Sequence, residues 1–178
     1  MEEKYTQLVM RRGNFDNLPD IVIPDGFVLR TYRDGDETAW DAIIGEMCKE
    51  GFIKAIKSHR FFKPERVKFI CKGDRPVATT TAWGDVHGDE SLAMVHMVGT
   101  DPEFRGLGLG YAVTNAVLHH MKAEGWKAAY LTTDDFRVPA LKIYLKLGFV
   151  PDLSQKGHAE RWDALQEKIQ TKWTGGGN

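Results

Sequence analysis

The chain has 178 residues, enough for one globular domain with a sizeable core. Its 42% hydrophobic and 28% charged content excludes a disordered or fibrous chain. A formal net charge of -1 supplies no global basic field for nucleic acid, and the opening residues, charged on both sides of a very short apolar run, hold neither a signal peptide nor a spanning helix. The expectation is a single domain over 1–178, soluble and cytoplasmic, with no nucleic-acid or membrane partner.

In chain order, residues 1–26 read as an irregular extension, broken by Pro19, Pro24 and Gly26. Phe27–Tyr32 reads as a strand ending at Arg33-Asp34-Gly35-Asp36. Asp34 or Asp36 then caps a helix that carries Trp40, Ile43, Ile44 and Met47 on one face. A second helical piece is expected over Phe52–Phe61. The basic residues Arg60, Lys63, Arg66 and Lys68 alternate with apolar ones and read as a solvated face. Strands follow at Val67–Cys71, at the β-branched run Val77–Trp83 and at Leu92–Thr100. Cys48 and Cys71 lie outside any metal-ligand spacing and read as reduced core residues.

From Leu109 the apolar residues keep helical spacing until Gly125. Trp126–Thr133 reads as a strand. Pro139 fits the first turn of a helix that holds Leu141, Tyr144 and Leu145 and stops at Gly148. A short strand at Phe149–Val150 and an amphipathic helix over about 158–172, with Trp162, Leu165 and Ile169 inward, complete the chain. The order of elements predicts a mixed α/β or α+β sheet rather than an alternating doubly wound one.

The run Thr100-Asp101-Pro102-Glu103-Phe104-Arg105-Gly106-Leu107-Gly108-Leu109-Gly110 lies where a strand turns into a helix. Glycines at alternate positions expose backbone N–H groups, which with the helix dipole seat a phosphate. Arg105 adds a fixed cation suited to phosphate oxygens. Neither dinucleotide nor P-loop signatures fit: the third glycine of the first is Tyr111 or Val113 here, and Gly110 is followed by Tyr111-Ala112 where the second needs Lys-Ser/Thr.

The pattern Arg105-x-x-Gly108-x-Gly110, followed about 40 residues later by Ala140-x-x-x-Tyr144-x-x-x-Gly148-Phe149, resembles the two hallmarks of the GCN5-related N-acetyltransferases, the GNAT superfamily. The resemblance covers residues 27–150. It implies a GNAT-like, mainly antiparallel sheet of about six strands flanked by helices, with a C-terminal helix beyond it. It implies acyl transfer from acetyl-CoA to the primary amine of a small-molecule or peptide acceptor. It brings no metal, and a homodimer is a family expectation.

By that resemblance the pyrophosphate sits on Arg105, Gly106, Leu107, Gly108, Leu109, Gly110 and Tyr111. The pantetheine arm pairs with Val98, Gly99 and Thr100 at a bulge that Gly99 makes cheap. Tyr144 is the implied general acid. Arg137 stands where the family commonly has an Asn that contacts the cofactor, and pairs with a CoA phosphate or is a solvated loop residue. His96, two residues before Val98 and on the same face, is the candidate general base, with Asp134 and Asp135 as competitors. The loop 85–90 occupies a region that relatives use to shape the acceptor site. Other readings are a CoA-binding regulatory module without transfer, and a partner-binding domain that uses its last helix with Trp162 and Trp173.

Overall fold

Alternation of inward and outward side chains builds a seven-stranded mixed sheet, seen in a computed structural model that describes residues 6–84 and 88–169. Asp85, Val86, His87 and Trp173, and the end expected for the last helix, lie outside the described residues. The strands are β1 (Leu8–Arg12), β2 (Val28–Thr31), β3 (Val67–Lys72), β4 (Arg75–Gly84), β5 (Leu92–Thr100), β6 (Ala128–Thr133) and β7 (Val150–Pro151). Their order across the sheet is β2-β3-β4-β5-β6-β1-β7. All pairings are antiparallel except β5 with β6.

Two layers cover the sheet. On one face lie α2 (Leu109–Glu124), α3 (Val138–Lys146) and α4 (His158–Ile169), packed on Leu8, Met10, Ala93, Val95 and Leu131. Trp162, Leu165 and Ile169 of α4 point into this core as their helical spacing predicts. On the other face α1 (Glu37–Ile44) and a π-helical turn over Ile53–Lys57 bury Trp40, Phe52 and Ile56 against Phe69 and Trp83. Full burial of such side chains contributes roughly 1.5–3 kcal/mol each. The expected helix over Phe52–Phe61 is thus one wide turn, and Asp36, at the N-cap of α1, uses its carboxylate on Arg30 and the Arg33 N–H rather than as a cap.

The largest departure from expectation is at the N-terminus. Residues 8–12 are not irregular: β1 inserts between β6 and β7, pairing all five of its residues with β6. Leu8 and Met10 are fully buried, while Arg11 points outward and ion-pairs Asp152 at 2.5 Å. Arg12 runs over Gly148 and donates to the carbonyls of Leu147 and Asp16. Both cysteines are free, with Cys71 buried on β3. Among the described residues no helix is long and apolar enough to cross a membrane.

Candidate functional site

The site begins where the parallel pair comes apart. β5 and β6 are in register only over Leu92–Met94 with Ala128–Tyr130; beyond it β5 continues to Thr100 with its edge on the β6 side unpaired among the described residues. On its other side β5 carries a bulge, for Thr79 pairs with Gly99 and Thr81 with His96, so that Met97 and Val98 stand opposite Thr80 alone. Met97 has φ +53°, strained for a side chain of that type. The Thr80 hydroxyl donates to the His96 carbonyl at 3.2 Å and secures the distortion.

The bulge therefore falls one residue before the position expected at Gly99. Gly99 is glycine for another reason: an added Cβ would lie 2.8 Å from both Ile43 Cγ2 and Ile44 Cδ1 of α1.

Two cavities lie along this edge of β5. One, of about 510 Å³, is walled by Val98, Gly99 and Thr100 of β5, by the glycine loop, and by Ala140, Ile143 and Tyr144 of α3. The loop is braced from beneath. Asp101 caps the turn Pro102–Phe104 by accepting from the Glu103 N–H, and ion-pairs Arg75 at 2.6 Å. Gly106 and Gly108 have φ of +79° and +78° with nothing within 4 Å of an added Cβ, so conformation and not crowding requires glycine there. Gly108 is the N-cap of α2 and accepts from the Ala112 N–H. The N–H groups of Leu109, Gly110 and Tyr111 begin the first turn of this 16-residue helix and have no carbonyl partner within it. This is an anion seat at the mouth of an apolar cavity.

The predicted cofactor residues Arg105, Gly106, Gly108, Leu109 and Gly110 line this cavity. Leu107 is exposed and the Tyr111 ring lies under the Lys146 ammonium, and neither residue lines this cavity.

The second cavity, of about 310 Å³, lies on the other side of Val98 and Tyr144 and is walled by His96, Arg137, Gln7, Thr132 and three methionines. Tyr144 and Val98 border both spaces. Burial pushes the Tyr144 phenol up to about 12, with the nearby Arg137 cation pulling it partly back. It is a protonated donor at neutral pH. Burial also pushes the His96 imidazole down to about 4, and the neighbouring His59 adds to the shift. His96 is neutral, stacked at a tilt on Trp83 with ring centroids 5.3 Å apart.

Arg137 is placed on this second cavity, away from the walls of the glycine-loop cavity. Its Nε donates to Asp134 at 2.7 Å, and Asp134 also accepts from Gln7. Asp135 is ion-paired with Arg161. Neither Asp134 nor Asp135 lines the second cavity.

Sequence reasoning missed Gln7, Thr132 and Met47, Met94 and Met97 as walls of this space. Gln7 enters through β1, which carried no recognisable pattern. Met47 read as part of the apolar face of a helix, and Met94 and Met97 as residues of the strand Leu92–Thr100. Among the described residues no three His, Cys, Asp or Glu side chains gather where they would hold a metal ion.

Comparison with known proteins agrees with this geometry. The model of the acetyltransferase (GNAT) family matches residues 30–149. A mycothiol acetyltransferase of Thermomonospora curvata is 35% identical over 153 residues, covering 80% of this chain and 50% of that protein. The chain spans about half the length of the curated relatives it matches. Among solved structures, a GCN5-related N-acetyltransferase from Sphaerobacter thermophilus superposes with a TM-score of 0.65 at 21% identity, over 82% of this chain and 48% of that one. A chain of the NatC complex bound to Gag peptide and CoA superposes with a TM-score of 0.60 at 17% identity, over 70% of this chain and 84% of that one. The fold class expected from the sequence is the one observed, with β1 as the additional strand.

Proposed function

We infer that this chain, which belongs to the acetyltransferase (GNAT) family, transfers an acetyl group from acetyl-CoA to a primary amine held in the second cavity. The observation that carries the reading is the unpaired edge of β5 at Val98–Thr100, which lies between an anion seat at the start of α2 and a phenol that borders both cavities. An extended pantetheine amide chain pairs with such an edge as a strand does. The pyrophosphate then rests on the N–H groups from Arg105 to Tyr111, and the thioester reaches the junction at Val98 and Tyr144. A relative named mycothiol acetyltransferase supports a small-molecule acceptor.

In the step itself the neutral amine nitrogen attacks the thioester carbonyl carbon. A carbon–nitrogen bond forms, and the backbone N–H of Val98 donates to the oxyanion. The carbon–sulfur bond then breaks, the electron pair leaves on sulfur, and the proton shed by nitrogen ends on the thiol. With the phenol near 12 and a thiol near 8.5, full proton transfer from Tyr144 to sulfur is uphill by about 5 kcal/mol. The role of Tyr144 is therefore to donate a hydrogen bond to sulfur as charge builds on it, releasing its proton only as its own is replaced. His96, neutral and weakly basic, accepts a hydrogen bond from the attacking amine; deprotonating a free ammonium near 10.4 by a group near 4 costs on the order of 9 kcal/mol. The amine thus enters already neutral, and His96 orients it.

Thermal stabilisation by acetyl-CoA and free-thiol release across an amine panel test this reading. Stabilisation with amine-dependent thiol release is expected. Stabilisation without release from any amine leaves a CoA-binding module, and no stabilisation removes the cofactor assignment.

A further inference from the structure

The charge pattern of the second cavity points to the kind of amine it takes. Among the described residues lining it, Arg137 is the one side chain charged at neutral pH; the others are amide, hydroxyl, imidazole, thioether or aliphatic. The walls present no carboxylate. A polyamine, an aminoglycoside or a lysine-rich peptide would place ammonium groups against a fixed cation, with no lining carboxylate to pair with.

The guanidinium is held for use from one end. Its Nε donates to Asp134 Oδ2, and Asp134, only 8% exposed, is held in turn by Gln7 through Oδ1. Nη1 rests against the sulfur of Met47, a weak acceptor that also lines the cavity, the guanidinium carbon lies 5.4 Å from the Phe136 ring centroid, and Nη2 has no hydrogen-bond partner among the described residues. The Nη1–Nη2 edge thus presents one donor without a hydrogen-bond partner among the described residues and one held by a weak acceptor, a fork that a carboxylate matches when it displaces the Met47 sulfur. Met47, Met94 and Met97 supply adaptable apolar walls around it.

We propose, resting on the transferase reading above, that Arg137 is the specificity determinant for an acceptor bearing a carboxylate beside its amine, an α-amino acid with an apolar side chain. In such a molecule the carboxylate carbon lies two bonds from the nitrogen, roughly 2.5 Å away, so one small cavity holds both groups, the amine toward His96 and Val98 and the carboxylate on Arg137. A cavity of about 310 Å³ accommodates a ligand of this size. Asp134 and Gln7 are positioning residues, since they fix the fork without touching the acceptor's carboxylate.

The test is binding of a product-like pair by calorimetry with CoA saturating: N-acetyl-L-methionine and its methyl ester, against the wild type, Arg137→Lys and Arg137→Gln. The acid is expected to bind the wild type at least tenfold more tightly than the ester. Arg137→Gln is expected to abolish that preference and Arg137→Lys to keep part of it, with CoA affinity within twofold throughout. Equal binding of acid and ester by the wild type overturns the proposal whatever the variants do. So does an undiminished preference in Arg137→Gln, or a CoA affinity that falls with it, which would place Arg137 on the donor. The amine panel separates the two readings. Acid preference without turnover sinks the transferase and spares this site. Turnover of amines lacking a carboxylate, as efficient as of amino acids, does the reverse.

Discussion

The phenol of Tyr144 borders both cavities, and its chemistry is decided by its surroundings. Burial keeps it protonated, so in the proposed transfer its contribution is a donated hydrogen bond that matters most when sulfur carries charge. Tyr144→Phe is therefore expected to lower kcat by roughly 10–100-fold while the acetyl-CoA dissociation constant stays within twofold; stopped-flow turnover beside calorimetry checks it, and an unchanged kcat removes Tyr144 from the mechanism. Gly148 shows a second kind of constraint. Its φ is +80°, and an added Cβ would land on the Arg12 guanidinium. Gly148→Ala is expected to destabilise the fold by about 2 kcal/mol or more through backbone strain and displacement of Arg12, measured by urea unfolding. Gly108 has the same conformation over open space, so a valine there should weaken acetyl-CoA binding at least about tenfold by disturbing the helix start.

At the scale of elements, β1 bears weight out of proportion to its five residues. It closes the gap between β6 and β7 and carries Gln7 to the second cavity. Leu8→Ala or Met10→Ala is expected to cost about 2–5 kcal/mol each, read from the midpoint of thermal or urea unfolding; a loss under about 1 kcal/mol would mean β1 does not carry the core it touches. This strand was illegible in the sequence because Leu8-Val9-Met10 ends in two arginines and is too short to show a period. Its burial is decided by β6 partners such as Thr133, opposite Leu8, and Leu131, opposite Met10, far along the chain. The glycine loop and β5 were legible because their signals are local: φ > 0 at Gly106 and Gly108, and β-branched or apolar runs bounded by turns. The bulge was only half legible. Its position depends on what stands across the ladder, at Thr80, whereas Gly99 records the close approach of α1. Arg137 was visible as an oddity in sequence, but its place on the second cavity depends on Asp134 and on where α3 begins.

For the whole molecule, ionisation sets two acid limits. The His96 imidazole titrates near 4 in the folded chain and near 6.5 when unfolded. The unfolded state thus binds more protons between these values, and stability is full above 6.5 and lost as pH falls through 4. The loss is on the order of 3 kcal/mol. Glu37 and Glu124 are held down to about 2 by their hydrogen-bonded cations, so their contribution is present above the usual carboxylate range and lost as pH falls through 2. Urea unfolding from pH 7 to 4 should show a decline that His96→Gln largely removes. A decline of the same size in the variant would assign it to other groups. Because His96 stays neutral above pH 5, the rate should rise with deprotonation of the acceptor amine and show no inflection near 6.5.

The place of β1 also has a consequence in time. It is the first of the described strands in chain order, yet both of its neighbours, β6 at Ala128–Thr133 and β7 at Val150–Pro151, follow more than about 110 residues later. At a synthesis rate of about 5–20 residues per second, β1 waits roughly 6–24 s for its first partner. Through that interval the nascent sheet has an apolar N-terminal segment still to be paired, and the β6 edge it will cover is the last long edge to appear. Closure of the sheet is thus a late, high-contact-order event, and the second cavity gains its Gln7 wall only after β6 has been made.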